Sequence, residues 1–305
     1  MNKTFEQMMG ELDNGQKEAI IRKVARAQTG DESQVEEVLR AVLSGDLRIV
    51  LVDGSVKLVD HTSRVIPMPG MKGVVDADRS FYLTQPELDY ASRLARLQDF
   101  YGKGVKFMSA AEFEDRCKKA MERIAGDRQI ANLLNGPHFP FVIPQLRDDL
   151  GTLLDYTMVP AMERSYRAQF PRREFYNYRH NELAGQVWVS PDTRQERLIE
   201  AMAKGSVCGV YFPCLQGFGI TADREMIGHL PESLVLSGME VPVVATAYPD
   251  IVGRDNKTPV LDMAALSWQS SESSLLFEAC DGDAGFDDRS RGAGGRYCGG
   301  VSVLG

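Results

Sequence analysis

One segment of the sequence combines side chains that bind phosphates with side chains that stack on flat rings. Between residues 164 and 180, five arginines stand against a single glutamate, and aromatic residues lie between them. Arginine neutralises phosphate and aromatic rings stack on bases, so this mixture suits single-stranded nucleic acid or a phosphorylated ligand. The predicted ligand-binding residues are Arg164, Arg167, Arg172, Arg173, Tyr176 and Tyr178.

The same segment has a simpler interpretation, in which a solvated helix face is followed by a loop whose aromatic side chains fill the core. Glu174 lies inside the segment, and the chain carries a net charge of −8. Both facts argue against a nucleic-acid surface, which needs clustered positive charge. The two interpretations remain open at the level of sequence.

A second cluster of chemical groups lies near residue 285, where four aspartates fall within eight residues rich in glycine. Carboxylates on a flexible loop can hold a hard cation, so the sequence predicts a weak Ca²⁺ or Mg²⁺ site. The predicted ligands are Asp281, Asp283 and Asp287. The helix–loop–helix calcium pattern is not matched, because Phe286 stands where the turn glycine belongs. A solvated turn built from aspartate and glycine is the alternative.

The cysteines are few, odd in number and irregularly spaced, at positions 117, 208, 214, 280 and 298. In a chain of this length that pattern predicts free thiols in a reducing compartment. A hairpin of the last two predicted strands would place Cys280 across from Cys298. The spacings fit no common zinc site, and a free buried cysteine behaves as a small apolar residue.

The strong catalytic signatures are missing from the sequence. It holds no phosphate-binding P-loop, no His-Glu-x-x-His helix, no Cys-x-x-Cys pair and no Gly-x-Ser-x-Gly elbow. We therefore expect a soluble binding or interaction protein that recognises an anionic ligand through its Arg/Tyr-rich segment. Two alternatives stay open, a metal-assisted hydrolase that uses the C-terminal aspartates and a structural component of an assembly. Whether the protein is an enzyme is undecided at this point.

Composition places the chain among ordinary globular proteins. Its 305 residues are 43% hydrophobic and 26% charged, and no apolar run is long enough to span a bilayer. The first residues carry no apolar stretch behind a basic start, so a signal peptide is not expected. These features predict a cytoplasmic protein without membrane contact, of undetermined oligomeric state.

The elements that must position these groups predict an α+β fold. Helices are expected near the N-terminus, followed by a β-hairpin whose turn is Asp53-Gly54, since both central residues of a type I′ turn need positive φ. A Pro/Gly-rich loop over 67–73 is the preferred domain boundary. The sequence thus predicts a helical and hairpin module over 1–70 and a larger α+β unit over 71–305.

A central helical region and a β-rich part over about 205–305 complete the prediction. Ser109 and Glu112 form a capping box at a helix start, and Pro160 should kink or divide the helix that begins near Leu150. Mainly antiparallel strands are expected in the final third, over 207–212, 233–237, 241–247, 274–280 and 296–304. That third is acidic, since residues 205–305 carry 6 basic and 13 acidic side chains.

Overall fold

The computed structural model describes residues 51–52, 55–56, 58–76, 81–102, 104–280, 282–290 and 292–305. Two short strands, β1 (Leu51–Val52) and β2 (Ser55–Val56), pair antiparallel, with Leu51 opposite Val56 and Val52 opposite Ser55. That register joins them through a two-residue connection, as the hairpin prediction requires. The Asp53-Gly54 turn itself and the predicted N-terminal helices lie outside the described residues.

The rest of the described chain alternates helices with the strands of a large mixed sheet. The helices are α1 (Tyr90–Tyr101), α2 (Ala110–Gly126), α3 (Leu150–Leu153), α4 (Val159–Gln169), α5 (Glu196–Lys204), α6 (Ile220–Met226), α7 (Glu240–Ala247) and α8 (Pro249–Val252). The strands are β3 (Phe139–Ile143), β4 (Phe175–Asn177), β5 (Val187–Val189), β6 (Val207–Gln216), β7 (Leu234–Leu236), β8 (Val260–Asp262), β9 (Leu266–Trp268), β10 (Ser273–Cys280), β11 (Asp283–Ser290) and β12 (Tyr297–Leu304).

Eight strands form the large sheet, in the order β3-β6-β12-β8-β10-β11-β4, with β7 paired to β12 beside β8. Most neighbours are antiparallel, whereas β12 with β8 and β11 with β4 are parallel pairs. Strands β5 and β9 form a separate small sheet. The α+β prediction with C-terminal strands is confirmed, although parallel pairs make the sheet mixed.

Helix α2 shows how local sequence aims one face at the sheet. The Ser109 hydroxyl accepts a hydrogen bond from the Glu112 backbone N–H at 3.2 Å, so the predicted N-cap is confirmed. From there the buried side chains recur at helical spacing, at Phe113, Cys117, Ala120 and Ile124. This stripe packs the helix against β6.

The helix that begins at Leu150 is interrupted just before Pro160, as the sequence predicts. Asp149 caps α3 by accepting from the Thr152 backbone N–H at 2.9 Å. A π-helical turn over Leu154–Met158 then precedes α4, whose first turn holds Pro160. Proline has no N–H to donate and its ring crowds the carbonyl four residues earlier, so the regular hydrogen-bond ladder breaks here.

One predicted strand is wrong. The apolar run over 241–247 forms helix α7, all of whose residues are buried. A helix that is buried on every side shows no polar face, so its sequence has no 3.6-residue period to distinguish it from a buried strand. Pro242 lies in the first turn, where its missing N–H would have no partner within the helix.

A single hydrophobic core runs under the sheet and its helices. Leu58, Val59 and Val65 belong to that core together with residues from every later part of the chain. The predicted boundary near residue 70 remains a prediction. Among the described helices, none is long and apolar enough to cross a membrane.

Candidate functional site

The most exposed aromatic pair of the predicted binding segment lies at one edge of the large sheet. Tyr176 is 46% exposed and Tyr178 is 54% exposed, and their rings stack with centroids 6.0 Å apart. Residues two apart in an extended segment point to the same side, which brings the two rings together. We call this pair, with the neighbouring Arg172, the tyrosine surface.

Pairing with β11 holds the tyrosine surface in place. Strand β4 runs parallel to β11 with Tyr176 opposite Gly285, and the Tyr178 backbone N–H donates to the Phe286 carbonyl at 3.0 Å. A Cβ built on Gly285 would lie 3.3 Å from the Tyr178 ring. The ring therefore lies close over Gly285, where a larger side chain would crowd it.

Two of the predicted arginines are engaged on the helix that leads into this surface. Arg164 donates to the Phe100 carbonyl at 2.6 Å. Arg167 forms ion pairs with Glu163 at 3.1 Å and with Glu174 at 2.7 Å, and these contacts raise its pKa, the hydrogen bond to Glu174 most strongly. Both guanidinium groups are exposed, but their donors are partly occupied by the protein itself.

Two further arginines of the segment are fastened to distant parts of the chain. Arg173 donates to the Arg254 carbonyl and lies over the Phe170 ring, 4.2 Å from its centroid. Arg179 forms ion pairs with Asp287 at 2.8 Å and Asp288 at 2.7 Å. These arginines hold the segment to the sheet and to the turn that follows α8, which is the structural role that the simpler interpretation expects.

Arg172 differs from the other arginines of the segment. It is exposed, and within the part of the chain that the structure describes no hydrogen bond or ion pair engages it. It lies four residues before Tyr176 on the turn that enters β4. Of the predicted contact residues, Arg172, Tyr176 and Tyr178 are therefore the exposed ones whose side chains form no hydrogen bond or ion pair with the described residues.

The predicted aspartate loop is wrong in its local structure, because Asp283–Ser290 forms strand β11. Antiparallel pairing with β10 matches Cys280 with Asp283 and continues to Ser273 with Ser290. Ala284 and Phe286 alternate along the chain and both face the core. This alternation favours a strand over the turn that the aspartates suggested. Gly282 lies in the connection between the two strands and has a φ of 96°, a conformation that glycine adopts readily.

The predicted metal ligands have protein partners where they are described. Asp283 accepts the Glu174 backbone N–H at 2.8 Å, and Asp287 pairs with Arg179. Asp281 lies outside the described residues. Among those that are described, no group of three or more His, Cys, Asp or Glu side chains is placed to hold a metal ion. The site over 281–287 remains a prediction that these contacts do not favour.

The predicted juxtaposition of Cys280 and Cys298 is also wrong. Strand β11 intervenes in sequence, and β12 pairs with β6, β7 and β8 instead of β10. Cys298 therefore lies opposite Gln216 on β6, buried, while Cys280 is exposed at the end of β10.

A buried acidic pair that sequence reasoning missed lies beneath α6. Asp223 on α6 and Asp262 on β8 are both fully buried, and Arg289 on β11 is 7% exposed. The Arg289 Nε lies 3.3 Å from the Asp262 Oδ1, and the guanidinium stacks over the Tyr297 ring at 3.7 Å. The Asp223 carboxylate occupies the space over Gly299, where a Cβ would come within 2.5 Å of its Oδ1. We call these three ionisable residues the acid–arginine cluster.

Burial sets the protonation of the acid–arginine cluster. Desolvation raises the pKa of Asp262 to about 6, and the Arg289 charge opposes that rise. Desolvation followed by repulsion from Asp262 raises the pKa of Asp223 well above its ordinary value. Of the two carboxyls, Asp223 therefore holds a proton more strongly, while Asp262 is paired with the Arg289 guanidinium. A single proton neutralises what would otherwise be a buried excess of negative charge.

The acid–arginine cluster is closed to solvent, so a substrate does not reach it in this conformation. One signal in the sequence points to it: Asp262 interrupts the apolar run from Val260 to Leu266. An ionisable residue inside such a run is rarely buried without a partner. The partners come from positions 223 and 289, and the sequence gives no sign of that pairing.

Comparison of the chain with protein-family models, with curated proteins and with solved structures gives no significant match.

Proposed function

We propose that this is a binding protein and that the tyrosine surface is where it meets its ligand. The ligand class that fits is an anionic molecule bearing flat rings, for which a short single-stranded nucleic acid is the probe. The observation that carries the proposal is the stacked, half-exposed pair Tyr176 and Tyr178, with Arg172 exposed on the turn that leads into the same strand.

The exposure of the two tyrosine rings supports this proposal. Large aromatic side chains are costly to leave in water, and tyrosine is enriched at recognition surfaces because its ring is apolar and its hydroxyl is polar. Stacked rings present π-faces that accept any base, and each stacked base contributes about 1–3 kcal/mol. Two tyrosines held by a paired strand lose little side-chain freedom on binding, which favours affinity.

The charge around the surface points to few phosphate contacts. Arg167 and Arg179 are paired with nearby carboxylates, and Arg164 and Arg173 donate to backbone carbonyls. Among the described residues, Arg172 is therefore the arginine of the segment without a hydrogen-bond or ion-pair partner. Each phosphate neutralised on a single strand adds about −0.7 to the slope of log affinity against log salt. We therefore propose a ligand held mainly by stacking, with a slope of about −0.7 to −1.4.

The proposed compartment is the cytoplasm. All five cysteines are free, and four of them are buried. Free thiols persist in a reducing environment, whereas an exported chain with five cysteines would be expected to form disulfides.

Binding of a fluorescent oligothymidylate by the whole protein tests the proposed function. Replacing both Tyr176 and Tyr178 by Ala is expected to weaken binding at least tenfold, since a loss of about 1.4 kcal/mol corresponds to a factor of ten. Arg172→Gln is expected to weaken binding less and to flatten the salt slope by about 0.7. Fluorescence anisotropy over a range of salt concentrations measures both effects.

Matched variants on other surfaces serve as controls. Tyr156, which is 63% exposed, supplies the control Tyr156→Ala, and Lys119→Gln removes one positive charge from α2. Binding that is absent at low salt, or that is weakened equally by the control variants, would reject the tyrosine surface as a site for this ligand class.

A further inference from the structure

Two cysteines that are far apart in sequence meet at the contact between α2 and β6. Cys117 lies on the buried stripe of α2, and Cys208 is the second residue of β6. Both side chains are fully buried. The packing of Phe113, Ala120 and Ile124 on the same stripe fixes the helix against the strand, so the two sulfurs are held together by the fold.

The two thiols contact each other directly. Cys117 and Cys208 are joined by a side-chain hydrogen bond, and Cys117 Sγ also lies 3.3 Å from the Gly209 carbonyl oxygen. A disulfide requires sulfurs about 2.05 Å apart, with Cβ atoms brought close by the backbone. Forming the disulfide therefore requires the two side chains to move closer together than their hydrogen-bonded contact.

The surroundings make the two sulfurs unequal. The hydrogen bond from Cys117, and after it the positive charge of Arg116, lower the pKa of the Cys208 thiol. The same contact and burial raise the pKa of Cys117. The thiolate is the nucleophile, and the Cys208 sulfur lies next to the exposed Gly305, where a Cβ would come within 2.9 Å of it. We therefore assign Cys208 as the sulfur that attacks an oxidant and Cys117 as the sulfur that then attacks Cys208.

The exposed residue Gly305 lies next to Cys208. Gly305 donates its backbone N–H to the Cys208 carbonyl at 2.9 Å, and a Cβ on Gly305 would lie 2.9 Å from Cys208 Sγ. Gly305 itself is exposed. We infer that displacement of Gly305 is the step that would let an oxidant reach the buried Cys208 sulfur.

We propose that Cys117 and Cys208 are an oxidation site that forms an intramolecular disulfide when the protein meets hydrogen peroxide. The Cys208 thiolate attacks one peroxide oxygen, so that an S–O bond forms, the O–O bond breaks and the departing hydroxide takes a proton to become water. The Cys117 sulfur then attacks the sulfenic sulfur, which forms the S–S bond and breaks the S–O bond. The second hydroxide takes the Cys117 proton as water. Two thiols are oxidised by two electrons, and the peroxide is reduced to two waters.

The other cysteines lack this arrangement. Burial raises the pKa of both Cys214 and Cys298, so their thiols stay protonated and unreactive. Cys280 is exposed and would be oxidised or alkylated for reasons unrelated to the pair. A Cys280→Ser protein is therefore the background in which the pair is tested.

Intact mass spectrometry of the Cys280→Ser protein tests the proposal. After treatment with hydrogen peroxide and alkylation in denaturant, the protein is expected to lose two alkylatable thiols and the mass of two hydrogens. Cleavage after glutamate should then give a cross-linked pair of peptides, 115–122 with 201–225, whose fragments locate the bond at Cys208 and not at Cys214. The peptide pair is read on a protein with both native cysteines, so it does not depend on a variant that folds.

Two further variants test the assigned roles. In Cys117→Ser, dimedone is expected to trap a sulfenic acid at Cys208, whereas in Cys208→Ser no sulfenic acid should form at Cys117. As a control, Cys298→Ser should still form the disulfide. Retention of both thiols at a peroxide excess that oxidises exposed thiols completely, or a bond between any other pair of cysteines, would overturn the proposal.

Discussion

Arg289→Met is expected to lower the free energy of unfolding by about 3–5 kcal/mol at pH 7, because removing one partner of a buried ion pair leaves the other charge without compensation. The substitution strands Asp262 beside Asp223 in a site closed to water. It also removes the hydrogen bond from Arg289 Nη2 to the Phe218 carbonyl at 3.1 Å and the stacking over Tyr297. Chemical denaturation followed by tryptophan fluorescence measures the loss.

The loss should depend on pH in a definite direction. Without Arg289, both carboxyls keep folded-state pKa values above that of an unfolded aspartate, about 3.9. A group of this kind contributes stability that is fully present below the unfolded pKa and is lost as pH rises through the folded pKa. The destabilisation by Arg289→Met is therefore expected to be smallest near pH 4 and to grow towards pH 7.

A double variant separates charge from packing in the acid–arginine cluster. Adding Asp262→Asn to Arg289→Met removes the stranded charge, so the double variant should be more stable at pH 7 than Arg289→Met alone. Asp223→Asn alone should remove the loss of stability that the native protein suffers when pH rises through the raised pKa of Asp223. An Arg289→Met protein whose stability loss is the same at pH 4 and pH 7 would show that the pair is not charged as proposed.

Asp155→Ala is expected to cost about 3 kcal/mol, because a buried carboxylate that accepts several backbone N–H groups leaves them all without a partner when it is removed. Asp155 is 1% exposed, and its oxygens accept from the backbone N–H groups of Asn181 at 3.0 Å, Leu183 at 2.9 Å and Ala184 at 3.0 Å. One turn earlier on the same helix face, Gly151 lies so close to Leu183 that no side chain would fit. The turn over 181–184 is thus docked on this face.

This docked turn begins two residues after Arg179, so releasing it from the helix should disturb the tyrosine surface. We expect Asp155→Ala to speed hydrogen exchange at residues 181–184 and to weaken ligand binding, while Asp155→Asn, which keeps one carbonyl oxygen, should cost less. Asp148→Ala is the control, since Asp148 is exposed and, among the described residues, its side chain accepts only a local bond from the Asp149 backbone N–H at 2.9 Å. Equal costs for Asp155→Ala and Asp148→Ala would refute the anchoring role.

How far sequence could predict this molecule differs between its fold and its candidate sites. Local patterns predicted the structure correctly where a residue type has one main structural role. Ser109 caps α2, and Pro160 follows the π-helical turn that interrupts its helix. Local patterns failed where two structures share a pattern, as in the apolar run that forms α7. They also failed at Asp283–Ser290, where aspartate and glycine suggested a turn although the alternating apolar residues form a strand.

The sites depend on contacts that no local pattern contains. The composition of the Arg/Tyr segment was evident in the sequence. Which of its arginines are free depends on the carboxylates of Asp287 and Asp288 and on the carbonyl of Arg254, which strand register and the turn after α8 bring close. The acid–arginine cluster and the Cys117–Cys208 contact are each assembled from elements far apart in sequence. Their chemistry follows from burial and distance, which become known only with the fold.

The position of β12 in the sheet has a consequence for how the protein is made. Residues 297–304 are synthesised after every other strand of the sheet, yet they pair with β6, β7 and β8 at its middle. Until they leave the ribosome, the long apolar strand β6 has an open edge, and pairings across such sequence separations form slowly. Before β12 is synthesised, the nascent chain therefore has unpaired apolar strands, and such a state is prone to aggregation and to chaperone binding. We expect substitutions on β12 to reduce the yield of folded protein in cells more than they reduce the stability of the protein once folded.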